Sequence, residues 1–352
     1  MSGMQMRILG APQRYVQGPG AIERLADEVA IAGGGPVAMI IDPVARKLIG
    51  ETLTAQLPDA ALLSFGGECT SAEIAARAAE LGGARLVIGI GGGKAIDTAK
   101  GAAIAADLPV LIVPTIASND SPTSHLAIIY TENHAVEEVR RMRVNPAAVL
   151  VDTTIIAGAP RRFLAAGIGD AMSKPYELEG ALLGGGANFF GGQPTELTRA
   201  IAARAREILL ADGEAALRSI TPDSGFERVV EASILLSGLA FESGGLSLAH
   251  SLVRGFSLMP QFADLLHGEM VALGTLVQLA AGQGDAAEIA ELKAFFRRID
   301  LPISFAKLGV TEDADFARIA EVSMTAPYAG NYLRPLEADD LVEAMWRLDR
   351  EA

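Results

Sequence analysis

Five short, almost uninterrupted apolar runs alternate with Ala-rich helical stretches over roughly the first 155 residues, and then the runs stop. They are "PVAMIID" (36–42), "ALLSF" (61–65), "RLVIGIG" (85–91), "LPVLIVPT" (108–115) and "AVLVDT" (148–153). A strand with one wet face alternates apolar and polar residues, whereas a continuous apolar run fits a parallel strand covered on both faces. Between the runs lie "AIERLADEVAIAGG", "SAEIAARAAELGG" and "KAIDTAKGAAIAAD", which have helical spacing and close on Gly or a polar residue. The pattern predicts an α/β domain with a mostly parallel sheet. One window, "GAAIAADLPVLIVPTIAS", is apolar enough to raise a membrane span, but Asp107, Pro109 and Pro114 interrupt it. It reads instead as a helix end followed by a buried strand.

After "TIIAGAPRRF" the apolar residues recur three and four apart, and no strand is evident. "PTELTRAIAARAREILLADGEAALRSI", "FERVVEASILLSGLAFES", "AAEIAELKAFFRRI" and "ADDLVEAMWRLDR" are the clearest helices. A chain of 352 residues also exceeds what one core usually supports. The expectation is a Rossmann-like α/β domain over residues 1–158 and an all-α domain over 159–352. A net charge of −14 with no block of basic residues argues against a nucleic-acid partner. "EEVRRMR" reads as solvated surface. Cys69 is the single cysteine, so neither an internal disulfide nor a CxxC site can form. Without a long apolar leader in "MSGMQMRILGAPQRY", the reading is a cytoplasmic protein with no membrane partner.

"LVIGIGGGKAIDTAK" (86–100) runs from a strand through Gly91, Gly92 and Gly93 into a helix that begins near Lys94. Glycines admit positive φ and let backbone N–H groups approach an anion, and the helix N-terminus adds partial positive charge. These are the requirements of a pyrophosphate cradle, to which Lys94 adds a cation. A ligand-free βα turn meets the same local pattern. The motif is not GxGxxG and does not follow the first strand. Asp42, however, ends the first apolar run, where a carboxylate can accept hydrogen bonds from a ribose. An ordinary turn aspartate would stand there too. Taken together, Asp42 and Gly91–Lys94 predict a dinucleotide. The carboxylate would repel a 2′-phosphate, so NAD is expected rather than NADP.

The chain has four histidines, and His250 and His267 both fall in the apolar segment "LAHSLVRGFSLMPQFADLLHGEM". Asp170 follows Gly-Ile-Gly and reads as an acid opening an apolar helix, for which N-capping is the simplest role. A lone histidine in such a context is usually a core residue. One carboxylate and two imidazoles in one domain nevertheless make up a three-ligand site with an open position, as catalytic zinc requires. HExxH is absent, and spacing alone does not bring these three together.

The segments "GGGKAIDTAK", "VPTIASNDSPTS", "AAGIGDAMSKPYE" and "LLHGEMVALGTLVQL" occur in this order across nearly the whole chain. They resemble the glycerol dehydrogenases of the iron-containing alcohol dehydrogenase and dehydroquinate synthase superfamily. The resemblance implies a dinucleotide-binding domain, a helical domain and an active site in the cleft between them. By it, Asp170, His250 and His267 are metal ligands. Gly91, Gly92, Gly93 and Lys94 hold the pyrophosphate, Asp42 meets the adenosine ribose, and Thr115, Ser118, Ser124, Leu126 and Tyr130 line the dinucleotide. Asp120 matches the acid beside the substrate hydroxyl, the catalytic candidate for orienting a second hydroxyl or passing a proton to solvent. The implied reaction moves a hydride between a small alcohol or ketone and NAD, helped by a divalent metal that lowers the hydroxyl pKa. Iron-using relatives carry a further His four residues after the aspartate. Lys174 stands there, so zinc is expected. A homo-oligomer is implied as well.

The sequence departs from the resemblance at one point. "AHSLVRG" replaces the usual "AHxxHNG", placing Val253 and Arg254 near the first histidine ligand. Lys174 and Arg254 could form an anion pocket for a 2-hydroxy acid, a 2-oxo acid or a polyol phosphate, with glycerol then a poor substrate. Alternatively, Lys174 pairs with Glu177 or Glu179 and Arg254 extends to solvent. His125 reads as a loop-surface residue, with a position facing nicotinamide or substrate as the alternative, and His134 reads as surface. Two other functions compete. A dehydroquinate synthase-like lyase, using NAD and zinc without net redox, is disfavoured by only four histidines and six lysines. A non-catalytic relative is disfavoured by the intact Asp170, His250, His267 and glycine loop.

Overall fold

The computed structural model describes residues 6–132 and 135–350; His134 lies outside the described residues. Six parallel strands form the main sheet: β1 (Tyr15–Gly18), β2 (Val37–Ile41), β3 (Ala61–Ser64), β4 (Leu86–Gly91), β5 (Val110–Pro114) and, after a hairpin, β8 (Ala148–Asp152). Their spatial order is β1-β8-β5-β4-β2-β3. Strands β2, β4, β5 and β8 are buried at every position, as expected of strands covered on both faces. One face packs on α1 (Leu25–Ile31) and α2 (Pro43–Gln56). The other carries α3 (Ser71–Ala79) and α4 (Gly93–Ala106) and runs into the core of the second half.

The five strands read from the apolar runs are all present, and the interrupted apolar window is the end of α4 followed by β5. Two features were not foreseen. Strand β1 is a half-buried edge strand with no apolar run. Strands β6 (Leu126–Tyr130) and β7 (Val136–Arg141) form a separate antiparallel hairpin. The "EEVRR" part of the presumed solvated segment is the mostly exposed strand β7.

Beyond Asp152 every described element is helical. The order is α5 (Thr153–Gly158), α6 (Arg161–Met172), α7 (Lys174–Leu183), α8 (Glu196–Ala216), α9 (Ser224–Glu231), α10 (Ser237–Gly244), α11 (Leu248–Phe256), α12 (His267–Gln278), α13 (Ala286–Arg298), α14 (Asp313–Ser323) and α15 (Ala338–Arg350). A π-helical turn, Ala232–Leu236, joins α9 to α10. Among the described residues no single helix is long and apolar enough to cross a membrane.

The strand order fixes where a ligand can sit. From β2 the chain moves outward to β3, and from β4 it moves the opposite way to β5 and β8. In such a sheet the connections diverge at the carboxyl ends of β2 and β4, opening a crevice there. Asp42 follows β2, and Gly91 ends β4.

Candidate active site

Asp170, His250 and His267 come from three helices that pack on one another. Asp170 lies in the last turn of α6, not at a helix start as its sequence context suggested, and it caps nothing. Gly167 and Gly169, which looked like a break before a helix, are interior to α6 because other backbone runs against them. A Cβ at Gly167 would stand 2.1 Å from the Ala117 carbonyl oxygen, and one at Gly169 would stand 2.7 Å from that of Gly268. On α12, a Cβ at Gly268 would meet the Ala166 carbonyl oxygen at 1.9 Å. Only glycine permits this approach, and it brings Asp170 beside His267, the first residue of α12. His250, on α11, completes the group. One ligand atom from each of the three residues lies within 4.8 Å of the others.

The cluster suits a divalent ion. The Asp170 carboxylate is buried, and its Oδ2 has no hydrogen-bond partner. An orphaned buried acceptor of that kind costs about 1–3 kcal/mol or more unless something takes it up. His250 Nδ1 stands 2.6 Å from Glu177 Oε2, although the ring N–H is not aligned for a hydrogen bond. That contact leaves Nε2 on the side of Asp170, 3.5 Å from its Oδ1. Glu177 is itself fixed, since its Oε1 accepts from the backbone N–H of Ser247 and His250 at 3.1 and 3.0 Å. A carboxylate behind a histidine is the usual outer partner of a metal ligand. Desolvation, with further cations nearby, pushes His267 down to about 4 against the pull of Asp170, so its ring is neutral. A neutral imidazole is the form that binds metals.

Lys174 is fully buried and pairs with neither Glu177 nor Glu179. Its Nζ lies 2.6 Å from Asp170 Oδ1 and 3.0 Å from Asp120 Oδ2, bridging the two carboxylates. Burial works against the charge on Lys174, but the two aspartates hold its pKa above the ordinary lysine value. Asp120 is pushed up by burial and by the charge of Asp170, with Lys174 opposing. Ser237 on α10 also donates to Asp120 Oδ2, at 3.0 Å. Close packing again sets this geometry: a Cβ at Gly238 would lie 1.8 Å from Thr123 Oγ1. Thr123 Oγ1 in turn donates to the Ile234 carbonyl in the π-helical turn, at 3.2 Å.

The other end of the site lies at the sheet crevice. Gly91 has φ +143°, and a Cβ there would approach Asp42 Cβ to 2.8 Å. Gly92 precedes α4 with no side-chain cap, so the first N–H groups of a 14-residue helix point outward without a partner from that residue. A Cβ at Gly93 would stand 2.7 Å from Asn119 Nδ2. Asp42 Oδ1 caps α2, accepting from Val44 and Ala45 at 2.8 and 3.3 Å, so the plain turn role is real. A carboxylate has a second oxygen, which can still meet a ribose. Lys94 turns away to Glu68 at 2.5 Å and lies 5.5 Å from the Tyr130 ring centre. Its side chain is 45% exposed. Thr115 follows β5 and donates its N–H to the Gly91 carbonyl at 3.0 Å; Ser118 lies half-buried on the loop beyond. Buried Lys100 binds Ser124 Oγ at 3.2 Å and the Leu126 carbonyl at 2.8 Å.

Comparison with known proteins bears on the family and the fold. Residues 12–153 match the sequence family described as iron-containing alcohol dehydrogenase. Glycerol dehydrogenase of Thermotoga maritima is 38% identical over 352 aligned residues, covering 96% of each chain. The chain belongs to the iron-containing alcohol dehydrogenase family. It is an NAD-linked, metal-dependent dehydrogenase acting on CH–OH groups. The structure of a probable glycerol dehydrogenase from Sinorhizobium meliloti superposes with a TM-score of 0.92 at 35% identity, covering 98% of this chain and 99% of the other. Hydroxycarboxylate dehydrogenase A of Escherichia coli is 31% identical over 350 residues, 95% of this chain and 92% of its own.

Several residues of this dehydrogenase stand where the sequence did not put them. His125 is not on the surface: it is buried, stacked on Phe190 at 4.7 Å, and its Nδ1 contacts Glu242. Glu242 on α10 also receives Asn145 Nδ2 at 2.5 Å, so one carboxylate ties the helical half to the loop before β6 and the segment before β8. Arg254 ends α11 exposed, donating to the Thr325 carbonyl at 3.4 Å. It shares no hydrogen-bonding partner with Lys174. Glu177, Ser237, Lys100 and Glu242 were missed as functional supports. Each is a polar residue in an apolar helix, the one signal that could have marked them.

Proposed function

We propose that this dehydrogenase oxidises a small polyol with vicinal hydroxyls, or reduces the matching hydroxyketone, with zinc held by Asp170, His250 and His267. The observation that carries this reading is that one ligand atom from each of those three residues lies within 4.8 Å of the others, on a buried aspartate whose Oδ2 has no partner. When bound, the metal supplies Lewis acidity to the reacting hydroxyl, and NAD accepts the hydride. One carboxylate and two imidazoles suit zinc, which needs no redox role. The protein's part is positioning. Glu177 orients His250, and Gly91–Gly93 with the α4 N-terminus hold the pyrophosphate, with Lys94 swinging from Glu68 to join them. Asp42 accepts from the ribose and disfavours a 2′-phosphate. Thr115, Ser118, Ser124, Leu126 and Tyr130 line the dinucleotide. Asp120, held between Lys174 and Ser237, faces the substrate and orients its second hydroxyl.

On this reading the chain works as two halves, 1–158 and 159–352, with substrate held between them. A cytoplasmic location is supported by the buried, unpaired Cys69. A homo-oligomer is part of this reading, with Val44 and Leu48, exposed one turn apart on α2, as candidate contact residues. A second reading, a hydroxycarboxylate substrate, draws on the buried cation of Lys174 beside Asp120 and on the name of the Escherichia coli relative. One screen tests both. Metal-analysed protein is given glycerol, other vicinal diols, 2-hydroxy acids and polyol phosphates with NAD, and NADH is followed. Turnover of diols above all others supports the polyol reading. Preference for a hydroxy acid replaces it with the second, and absence of stoichiometric NADH with every substrate overturns both.

A further inference from the structure

The sequence offered Lys174 as the partner of Glu177 or Glu179, or as part of an anion pocket with Arg254; in the structure it pairs with Asp170 and Asp120 instead of the two glutamates. Its ammonium is buried and divides itself between a metal ligand and the substrate-side acid. The placement is built in: Asp170 and Lys174 are four residues apart across the junction of α6 and α7, so they share a face. The two oxygens of Asp170 are thereby made different. Oδ1 accepts from Lys174 at 2.6 Å, while Oδ2 remains buried without a partner. Other charged or titratable groups face the same space: Asp120 from the loop after β5, Glu177 from α7, His250 from α11 and His267 from α12. Lys174 Nζ also lies 5.6 Å from the Phe241 ring centre, with no exposure through which water could screen it.

We infer that Lys174 is a fixed counter-charge that orients Asp170 toward the metal and sets how tightly the site holds a divalent ion. The inference rests on the reading of Asp170, His250 and His267 as the ligands. An ammonium on Oδ1 locks the carboxylate rotation and leaves Oδ2 as the oxygen without a hydrogen bond. The same positive charge draws electron density from the carboxylate and repels the incoming cation. Outer partners of metal ligands usually strengthen binding, because they accept from a histidine or donate without charge. Here the partner is a full cation within a few ångströms of the ion in a poorly screened interior, so the repulsion outweighs the gain in orientation. Lys174 also keeps Asp120 and Asp170 from standing as two uncompensated buried carboxylates. The metal is therefore held loosely enough to exchange, and the metal-free protein keeps its shape.

The test measures zinc affinity by chelator competition, and thermal midpoints with and without zinc, on the full-length protein and three variants. Lys174→Gln keeps a donor and removes the charge, Lys174→Met removes both, and Lys174→Arg keeps the charge. Lys174→Gln is expected to bind zinc at least about tenfold tighter than the parent, with Lys174→Arg within about threefold. The metal-free Gln and Met variants should melt below the metal-free parent and gain more from zinc than it does. If they can be recovered only with zinc present, the same conclusion follows. The double variant Asp120→Asn, Lys174→Gln keeps the net charge and guards against loss of folding; it too should bind zinc tighter than the parent. Zinc affinity of Lys174→Gln equal to or weaker than that of the parent overturns the inference. A parent that takes up no zinc, cobalt or manganese overturns the metal-site reading instead, so the two failures are distinguishable.

Discussion

The two ends of this active site are built by opposite means. At the proposed metal end, α6, α11 and α12 supply Asp170, His250 and His267, and other side chains hold two of them: Glu177 holds His250, and Lys174 holds Asp170 together with Asp120 from the loop after β5. At the proposed dinucleotide end the working groups would be backbone N–H donors, bared by three glycines at the start of α4 and backed by half-exposed side chains. The difference reflects what each end must hold. A divalent ion needs fixed, deprotonated ligands in a dry setting, whereas a pyrophosphate needs several donors and close backbone approach. A defect at the metal end should therefore abolish chemistry, while one at the cofactor end should mainly weaken binding.

The strongest contrast should come from Asp170→Asn. Turnover is expected to fall by at least about 10³-fold, with zinc lost from the purified protein by metal analysis, because the ligand charge is gone. NAD binding measured by fluorescence should survive; if it is lost to the same extent, the two ends are not separable. Next is Glu177→Gln, expected to weaken zinc binding about 10- to 100-fold through the orientation of His250. Unchanged affinity would show that Glu177 only fills space. At the other end, Gly91→Ala places a side chain at φ +143° and 2.8 Å from Asp42 Cβ. The KM for NAD should rise roughly tenfold with zinc content unaltered, and a zinc-depleted variant would break the comparison. The smallest effect belongs to Arg254→Asn. An exposed arginine bound to one carbonyl should change kcat/KM for glycerol by less than about fivefold. A selective loss of hydroxy-acid turnover in that variant would restore the anion pocket and shift the substrate assignment.

The same contrast explains what was legible. The glycine loop is a local signal: strand, three glycines and helix lie within fifteen consecutive residues, and so the crevice end could be read directly. The proposed metal ligands span nearly one hundred positions. Their residue types were suggestive and the resemblance supplied the assignment, but no local pattern showed that glycines at 167, 169 and 268 press two helices together. Asp170 was misread as a helix start for that reason. Glycines that looked like a break are interior to α6, tolerated because a neighbouring backbone occupies the space of their missing Cβ atoms. His125 was misread likewise. A histidine in a polar loop gives no sign that Glu242, 117 residues later, will bury it.

By itself the sequence determined the α/β and helical halves, five of the six sheet strands and the glycine turn from β4 into α4, because side-chain periodicity and glycine content act over a few residues. Only the tertiary structure decided which charges meet. Lys174 could have paired with acids on its own helix, but the α6–α7 junction set Asp170 one turn before it, and the packing of the 117–123 loop against α6 and α10 brought Asp120 within its reach. In a dry interior an ammonium goes to the carboxylates it can touch, and which ones those are is a property of the fold.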